Sequence, residues 1–351
     1  MAENFVSVSG ISTGKQLEGI RKISTEEELS FPIAIGYQLS NKSINKGTQN
    51  PRQPKFVDIG ELDERTRDNG FVTAIHYYTK YNETILDDLE KVVEAGVDPS
   101  RALLQFNTLP VDAEVLNRVR DIGFRVIFKV AVSDKSDKGG YAVWKGDDVQ
   151  DVIDGDIIPL IEQVFDRADV IDYLMFDPSH GTNLDLDLDE DSLGMRFGRE
   201  IFDTYELRNV GLVYAGGINP GNVRRVVKRL ESFFPGRFSI DTESGVRKEG
   251  RLDLGLVRNY LVNYRNTRNS INITRNIIKR LVISGRERSR QSYYIQDSTP
   301  DCLDNDPETL AAFVEGCLSD KETERYMNHM EKCKRCLYAS SLLIRGMEEY
   351  E

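Results

Sequence analysis

Short apolar runs alternate with amphipathic stretches from the N-terminus to about residue 265. The runs are rich in Val, Ile and Phe and are bounded by polar or glycine-containing segments, which is typical of buried β-strands. The strands predicted in this way span residues 5–11, 32–39, 71–78, 102–107, 124–132 and 171–177, and two further runs begin at Val213 and Phe238. The pattern therefore predicts eight strands.

The stretches between these strands carry apolar residues at helical spacing. They predict helices over residues 15–23, 59–68, 84–94, 113–121, 157–167 and 195–204. Gly96 and Gly123 follow two of these stretches and mark helix ends. Eight strands that alternate with helices over roughly 260 residues favour a parallel sheet closed into an α/β barrel, the (β/α)8 TIM barrel. A doubly wound open sheet is the structural alternative.

Two glycine turns late in this pattern indicate a ligand class. One lies in Val213-Tyr-Ala-Gly-Gly-Ile-Asn-Pro-Gly-Asn-Val223 and the other in Phe238-Ser-Ile-Asp-Thr-Glu-Ser-Gly-Val246. Each turn follows a strand and leads into a helical pattern, so backbone N–H groups and a helix N-terminus face the same point. The sequence therefore predicts a phosphate site, with ligands from five residues: Gly216, Gly217, Asn219, Ser244 and Gly245.

Composition and charge narrow the functional classes. The chain has 39% hydrophobic and 30% charged residues and a net charge of -12, which argues against general nucleic-acid binding. It has no apolar run of the ~18 residues that a membrane span needs, and its first residues lack the character of a secretory signal. All four cysteines lie beyond residue 300, which favours a reduced, cytoplasmic protein with a local metal site.

Composition also changes beyond the barrel. Residues 1–265 are predicted to form the barrel, residues 266–299 a basic helix and linker, and residues 300–351 a small helical module. The basic helix is interpreted as docking on the acidic barrel or tail, with a phosphate or nucleic-acid role as the alternative.

The barrel segment, residues 5–262, resembles phosphoribosylanthranilate isomerase, the Amadori-rearranging barrel of tryptophan biosynthesis. The resemblance rests on Phe176-Asp-Pro-Ser-His-Gly-Thr-Asn183, on Ala215-Gly-Gly-Ile-Asn-Pro-Gly-Asn-Val223 and on Ile240-Asp-Thr-Glu-Ser-Gly-Val246. The N-terminal half is looser, with Ser7-Val-Ser-Gly-Ile-Ser12 at the position of the family's first strand. The resemblance implies a phosphoribosylated amine or a related phosphorylated sugar as substrate.

The resemblance also implies catalytic residues. Asp177 matches the family's general acid, and Ser9 stands where the family has its cysteine base. A serine hydroxyl is a far weaker acid than a thiol and serves as a base only when a partner activates it. His76 and His180 are the available substitutes, although for each of them the favoured interpretation is a hydrogen-bonded core or loop residue.

Further residues are expected to contact substrate. Gln105 and Asn107 represent the family's fourth-strand motif, and Asp241 belongs to the eighth-strand motif. Lys129 is placed to reach the barrel mouth, with an ion pair to Asp177 or Asp241 as the alternative. Two departures stand out. The arginine after the family's second strand has only Lys42 as a rough match, and Arg247 replaces a glutamate.

The C-terminal module carries a metal-ligand pattern. His329-Met-Glu-Lys-Cys-Lys-Arg-Cys336 has a His-x3-Cys-x2-Cys spacing, which suits tetrahedral Zn²⁺. Cys302 is the predicted fourth ligand, ahead of Cys317, and a helical tail with free thiols is the alternative. The stretch resembles the zinc-finger domain of anti-sigma factors, which implies a structural Zn²⁺ and a protein partner; the barrel itself is expected to need no cofactor.

Two hypotheses follow from these observations. The first is an isomerase-type enzyme, an intramolecular oxidoreductase of the Amadori type, that acts on a small phosphorylated metabolite. The alternative is a catalytically silent barrel that senses a phosphometabolite and signals through the zinc module to a regulatory partner. Loss of the family's thiol at Ser9 favours the alternative, whereas Asp177 beside an intact phosphate site favours the enzyme.

Overall fold

The computed structural model describes most of the predicted barrel and part of the C-terminal module. The described residues are 3–48, 50–107, 111–130, 132–133, 141–145, 148–153, 161, 164–165, 167–177, 186, 188–189, 192–204, 209–289, 313, 318, 320–330, 333 and 336.

Eight parallel strands close into a barrel, which confirms the predicted α/β barrel. These strands are β1 (Val6–Ser9), β2 (Ile33–Ser40), β3 (Val72–Tyr78), β4 (Ala102–Phe106), β5 (Arg125–Val130), β9 (Tyr173–Phe176), β10 (Gly211–Tyr214) and β11 (Phe238–Thr242). Around the barrel they follow the order β1-β11-β10-β9-β5-β4-β3-β2, so β1 pairs with both β2 and β11. The closed order excludes the open-sheet alternative, in which two strands would remain at edges.

Strand register determines which side chains fill the barrel. Paired residues share a face, and the face alternates along each strand. The side chains that fill the centre of the barrel form one buried cluster, which includes Ala34, Ala74, Leu103, Ile127, Met175 and Val213. The alternate positions, such as Ile35, Tyr37, Phe106 and Tyr214, are buried outside the barrel, toward the helical layer.

Helices follow the strands as the hydrophobic pattern predicts. They are α1 (Gly14–Glu26), α2 (Asn41–Lys46), α3 (Ile59–Asp68), α4 (Ile85–Glu94), α5 (Ala113–Ile122), α6 (Leu193–Asp203), α7 (Val223–Phe233), α8 (Leu254–Ser289) and α9 (Asp320–Met330). Thr13 and Gln16 form a capping box that begins α1, and Gly123, with a left-handed backbone, ends α5. Four one-turn 3₁₀ segments, Phe56–Asp58, Asn82–Thr84, Pro99–Arg101 and Ser244–Val246, complete the described helical turns.

The region after β5 differs from the sequence prediction. The run over residues 124–132 was predicted as one strand, but β5 ends at Val130. Val132–Ser133 is β6 of a separate antiparallel sheet. β6 pairs with β7 (Tyr141–Lys145), which pairs with β8 (Asp148–Ile153). In the sequence, Gly146-Asp147 stands between the last two strands and is a two-residue hairpin signal. Most of the predicted helix over residues 157–167 lies outside the described residues.

Gly198 of α6 lies against the aromatic layer outside the barrel. A methyl group there would sit 2.1 Å from the Tyr214 hydroxyl oxygen and 2.8 Å from the Phe234 ring. These two rings stack with centroids 5.6 Å apart, so neither moves without disturbing the other. The close approach of the helix to the barrel at this point therefore requires glycine.

We expect Gly198→Ala to lower the free energy of unfolding by about 1–3 kcal/mol, because it overpacks this layer. Urea unfolding measures the change. Gly194→Ala on the same helix is the matched control, since its methyl group would lie 3.6 Å from Phe176. The control is expected to raise stability by about 0.5–1 kcal/mol through helix propensity. Equal effects of the two substitutions would contradict the packing argument.

The described residues fall into two compact units, one within Met1–Val226 and Phe233–Asn263 and the other within Val227–Ser232 and Tyr264–Glu351. α8 continues through residue 265, where the barrel was predicted to end, and the domain boundaries at 265 and 299 stay predictions. A short antiparallel pair, β12 (Arg247–Lys248) and β13 (Arg251–Leu252), precedes α8. Among the described residues, no helix combines the length and apolar character that crossing a bilayer requires.

Candidate active site

The barrel has a polar cavity of about 260 Å³ at the C-terminal ends of its strands. Inward-facing positions that are apolar at the barrel centre become polar toward these ends, where barrel enzymes place their active sites. The lining residues are Gln38, Arg52, His76, Tyr78, Gln105, Asn107, Lys129, Met175, Asp177, Ala215, Gly216, Gly217, Ile218, Asp241, Thr242, Glu243 and Ser244. Most of the predicted barrel-site residues therefore meet in one cavity.

Ser9 lies just below this cavity, at the end of β1. Its hydroxyl donates a hydrogen bond of 2.5 Å to Oδ1 of Asp241 and lies 3.4 Å from Nε2 of His76. The Ser7 hydroxyl is 3.1 Å away on the same strand face. Ser9 has no exposed surface, and a methyl group on Gly36 of β2 would lie 2.3 Å from its oxygen. Glycine on the neighbouring strand thus makes the space that Ser9 occupies.

His76 is almost completely buried on β3, with 4% of its surface exposed. Burial is the main cause that lowers its pKa below the ordinary value. The charges of Asp241, Glu243 and Asp177 oppose this shift, and Lys129 adds to it. The net lowering keeps the imidazole neutral around neutral pH.

The lowered pKa of His76 predicts a pH-dependent stability. Unfolding returns its pKa to about 6.5, so below that pH the unfolded chain binds a proton that the folded chain does not. The free energy of unfolding should therefore fall as pH drops below about 6.5, by at most about 1.4 kcal/mol per pH unit from this residue. Urea titrations at about pH 7.5 and 5.5 measure the slope. His76→Gln should reduce the slope, and an unchanged slope in this variant would contradict the assignment.

Lys129 and Asp177 form an ion pair at the mouth of the cavity. Nζ of Lys129 is 2.6 Å from Oδ2 of Asp177, and the two side chains are 10% and 12% exposed. Lys129 faces inward on β5 because it pairs with Met175 of the next strand, and Asp177 directly follows that strand. This ion pair is one of the two alternatives predicted for Lys129 from the sequence.

Gln105 lies on β4 and lines the same cavity. Its amide group donates a 2.8 Å hydrogen bond to Asn107, while its carbonyl oxygen is buried without a hydrogen-bond partner among the described residues. A buried acceptor of this kind carries a desolvation cost that a donor from a ligand would relieve. Both residues line the cavity, as their predicted role in substrate binding requires.

The two glycine turns pack directly on each other. A methyl group on Gly245 would lie 1.9 Å from the carbonyl oxygen of Ile218, and the Thr242 hydroxyl donates to the same oxygen at 2.6 Å. Gly216 and Gly217 adopt positive φ angles of 106° and 58°. Among the described residues, the N–H groups of Gly216, Gly217 and Gly245 donate no hydrogen bond. They are therefore available to an anion.

Asparagine side chains hold the first turn in shape. The side-chain amides of Asn219 and Asn222 both donate to the backbone carbonyl oxygen of Gly217. Oδ1 of Asn222 accepts a hydrogen bond from the backbone N–H of Asn219. Asn219 thus shapes the turn from within, although it was predicted as a phosphate ligand. α7 begins at Val223 directly after this network, so its N-terminus follows the turn.

The cavity residues that the sequence did not predict include Gln38, Arg52 and Glu243. Glu243 accepts a hydrogen bond of 2.6 Å from Gln38 and lies 3.2 Å from Nη1 of Arg52. Arg52 comes from the segment after α2, and it places a cation at the mouth. Lys42, the rough match for such a cation, lines a separate groove beside Tyr78–Tyr81.

Arg247, the other departure from the family pattern, contacts backbone outside the cavity. Its guanidinium donates to the carbonyl oxygens of Gly10 and Gly250. Burial lowers its pKa from the ordinary value. The side chain thus ties the segment after β11 to the end of β1.

The predicted zinc ligands are described in part. The side-chain donor atoms of His329, Cys333 and Cys336 lie within 4.8 Å of one another, and Nε2 of His329 is 3.3 Å from Sγ of Cys336. His329 lies in the last turn of α9, and both cysteines are buried. The rings of Phe313 and Tyr326 in the same module stack with centroids 4.4 Å apart. His180, Cys302 and Cys317 lie outside the described residues.

The fold is a parallel (β/α)8 barrel, and the two glycine turns lie at its polar cavity. Residues 150–263 match the family model described as N-(5'phosphoribosyl)anthranilate (PRA) isomerase. This match covers less than half of the chain and includes Asp177 and both glycine turns. It agrees with the resemblance read from the sequence. Nothing in the comparisons indicates an anti-sigma zinc finger.

Several solved structures are similar to the barrel. N-(5'-phosphoribosyl)anthranilate isomerase from Pyrococcus furiosus is 16% identical, with a TM-score of 0.45 over 75% of this chain and 99% of that one. An L-ribulose 3-epimerase is 12% identical, with a TM-score of 0.43 over 78% of this chain and 98% of that one. A Rubisco-like protein from Rhodopseudomonas palustris is 9% identical, with a TM-score of 0.44 over 76% of this chain and 64% of that one. A search of curated protein sequences found no match.

Proposed function

We propose that the barrel binds the phosphate group of a sugar phosphate at the two glycine turns and isomerises the sugar in the adjoining cavity. The observation that carries this proposal is the contact between the turns. Gly245 packs on the Ile218 carbonyl, while the N–H groups of Gly216, Gly217 and Gly245 keep no partner among the described residues. Unpaired backbone N–H groups in turns at the strand ends of such a barrel suit the oxygens of a phosphate group, which supports this proposal.

The cavity also offers the acid and base that an Amadori-type isomerisation needs. Ring opening requires a proton on the ring oxygen. The Lys129–Asp177 ion pair holds such a proton on Nζ of Lys129, and Asp177 delivers it by taking it from Lys129 as charge develops on the ring oxygen. The next step removes a proton from C2′ of the open-chain imine. The base comes from the cluster of Ser9, His76 and Asp241. The family match over residues 150–263 supports a phosphoribosylated amine as the substrate class.

A steady-state assay on phosphoribosylanthranilate tests this function, with Ser9→Cys measured in parallel. Turnover by the wild-type protein would support the isomerase proposal and this substrate. Turnover by Ser9→Cys alone would mean that the cavity binds this substrate but that the native reaction differs. Absence of turnover by both proteins would contradict this substrate and favour the sensor alternative.

A second candidate function is a phosphometabolite sensor that signals through the C-terminal module. The observation that favours it is the cluster of His329, Cys333 and Cys336. Bond lengths of about 2.3 Å for Zn–S and 2.0–2.1 Å for Zn–N place tetrahedral ligand atoms about 3.3–3.8 Å apart. The 3.3 Å separation of Nε2 and Sγ suits this geometry. We propose Cys302 as the fourth ligand and a protein partner as the receiver of the signal.

Metal analysis of the purified protein tests the zinc site. One equivalent of zinc is expected in the wild-type protein, and it should be lost in Cys333→Ser and in Cys336→Ser. Cys302→Ser should lose zinc whereas Cys317→Ser should keep it, because only the former is proposed as a ligand. Wild-type protein without zinc after growth in zinc-supplemented medium would contradict the site.

A further inference from the structure

Ser9 and Asp241 differ in their access to the cavity. Ser9 has no exposed surface and is absent from the described lining, whereas Asp241 is 8% exposed and lines the cavity. A general base must come within hydrogen-bond reach of the proton that it removes. Asp241 is open to a substrate in the cavity whereas Ser9 is enclosed, even though Ser9 occupies the position of the family's base.

The hydrogen bonds of Ser9 lead to the same conclusion. Its single proton is donated to Oδ1 of Asp241. The contact with Nε2 of His76 is therefore favourable only when that nitrogen carries a proton and donates to Ser9. His76 in this tautomer does not accept the Ser9 proton. The arrangement thus orients Asp241 and does not activate Ser9.

Asp241 retains one oxygen for chemistry. Oδ1 accepts from Ser9, and Oδ2 accepts no hydrogen bond from the described residues. The other candidates in the cavity are already engaged, since Asp177 is paired with Lys129 and Nε2 of His76 faces Ser9. A carboxylate with one oxygen fixed and one open is prepared to take a proton.

We infer that Asp241 is the general base of the proposed isomerisation and that Ser9 and His76 are positioning residues. This inference rests on the proposed function. Oδ2 of Asp241 takes the proton from C2′ of the protonated imine. The C–H electron pair forms the C1′=C2′ double bond, and the imine π pair moves to nitrogen. Ketonisation then moves the hydroxyl proton off the oxygen at C2′ and places a proton on C1′, so atoms and electrons balance.

Turnover of phosphoribosylanthranilate by three variants tests the inference. Asp241→Asn keeps an acceptor for Ser9 but removes the base, so kcat should fall about 10²–10⁴-fold. Ser9→Ala removes only the orienting hydrogen bond. Its kcat should fall about tenfold, in line with loss of one hydrogen bond of about 1–1.5 kcal/mol, with KM nearly unchanged. Ser9→Cys, which restores a donor of similar shape, should recover part of this loss.

Two kinetic results would overturn the inference. One is a loss in Ser9→Ala as large as that in Asp241→Asn, because it would make Ser9 the base. The other is Asp241→Asn activity above about a tenth of the wild-type kcat, because general-base catalysis contributes far more than this. His76→Gln extends the comparison, and it should behave like Ser9→Ala.

A second measurement keeps the test valid if phosphoribosylanthranilate is not turned over. Glycidol phosphate carries both a phosphate group and an epoxide. A carboxylate oxygen opens the epoxide, the C–O bond breaks, and the alkoxide takes a proton from water to leave an ester. Mass spectrometry should find this ester on Asp241, its formation should slow with inorganic phosphate, and Asp241→Asn should lose it.

The labelling result also separates the inference from the proposed function. An ester on Asp177, an adduct on His76, or no label while inorganic phosphate still binds in a calorimetric titration would overturn the inference alone. Absence of both labelling and phosphate binding would overturn the proposed function together with the inference.

Discussion

Asp177→Asn is expected to lower kcat by about 10²–10⁴-fold while phosphate affinity changes less than about threefold. The carboxyl group lies at the end of β9, inside the cavity, and is 2.6 Å from Nζ of Lys129. An asparagine has the same shape but neither takes nor delivers the proton that ring opening requires. The phosphate turns are built from other residues, so they should remain intact.

Steady-state kinetics on phosphoribosylanthranilate and calorimetry with inorganic phosphate measure the two quantities separately. Asp121→Asn, an exposed change of the same kind on α5, is the matched control and should match the wild-type protein in both. If Asp177→Asn kept more than about a tenth of the wild-type kcat, Asp177 would not be the acid.

Lys129→Met is expected to lower the free energy of unfolding by about 3–5 kcal/mol. Its partner Asp177 has a side chain that is only 12% exposed, so removing the lysine leaves a carboxylate in a poorly solvated site. The double variant Lys129→Met/Asp177→Leu removes both charges. It should regain most of the loss, because well-packed apolar residues replace a buried pair at little cost.

Urea unfolding of the single and double variants measures these changes. Lys22→Met is the control, since Lys22 pairs with Glu26 at 3.6 Å on the surface with 71% of its side chain exposed, and little change is expected. A single variant as stable as wild type would contradict the account of the ion pair. So would a double variant no more stable than the single one.

The sequence predicted the barrel because its signals are local. Apolar runs such as Ile33–Ser40 and Ala102–Phe106 are buried on both faces, so each is visible as a continuous hydrophobic segment. The glycine turns were also visible, since Gly216 and Gly217 need positive φ angles and Gly245 has no room for a side chain. Each of these features is decided by a few adjacent residues.

The missed features depend on contacts between distant segments. Arg52 reaches the cavity from the loop after α2 and contacts Glu243, which is 191 residues away in sequence. The burial of Ser9 depends on Gly36 and Asp241, which lie on the two neighbouring strands. A local sequence pattern does not indicate contacts between residues that are distant in sequence. The resemblance placed Ser9 correctly at the end of β1, but only the three-dimensional contacts show that its proton is donated to Asp241.

The small sheet after β5 shows a different difficulty. The strand pattern continues through Val130 to Val132, yet the barrel strand ends at Val130 and β6 belongs to another sheet. Hydrophobicity is the same on both sides of this point. The chain leaves the barrel because β5 pairs with β9 only as far as Val130, where Phe176 ends the partner strand.

Calorimetric titration with ribose 5-phosphate tests the central claim most directly, because it does not depend on the rest of the substrate. The wild-type protein should bind ribose 5-phosphate, inorganic phosphate should compete, and ribose should not bind. Gly245→Ala should weaken binding at least about tenfold, or 1.4 kcal/mol, since its methyl group would lie 1.9 Å from the Ile218 carbonyl and displace the turns. Absence of binding, or equal binding by Gly245→Ala, would contradict a phosphate site at these two turns.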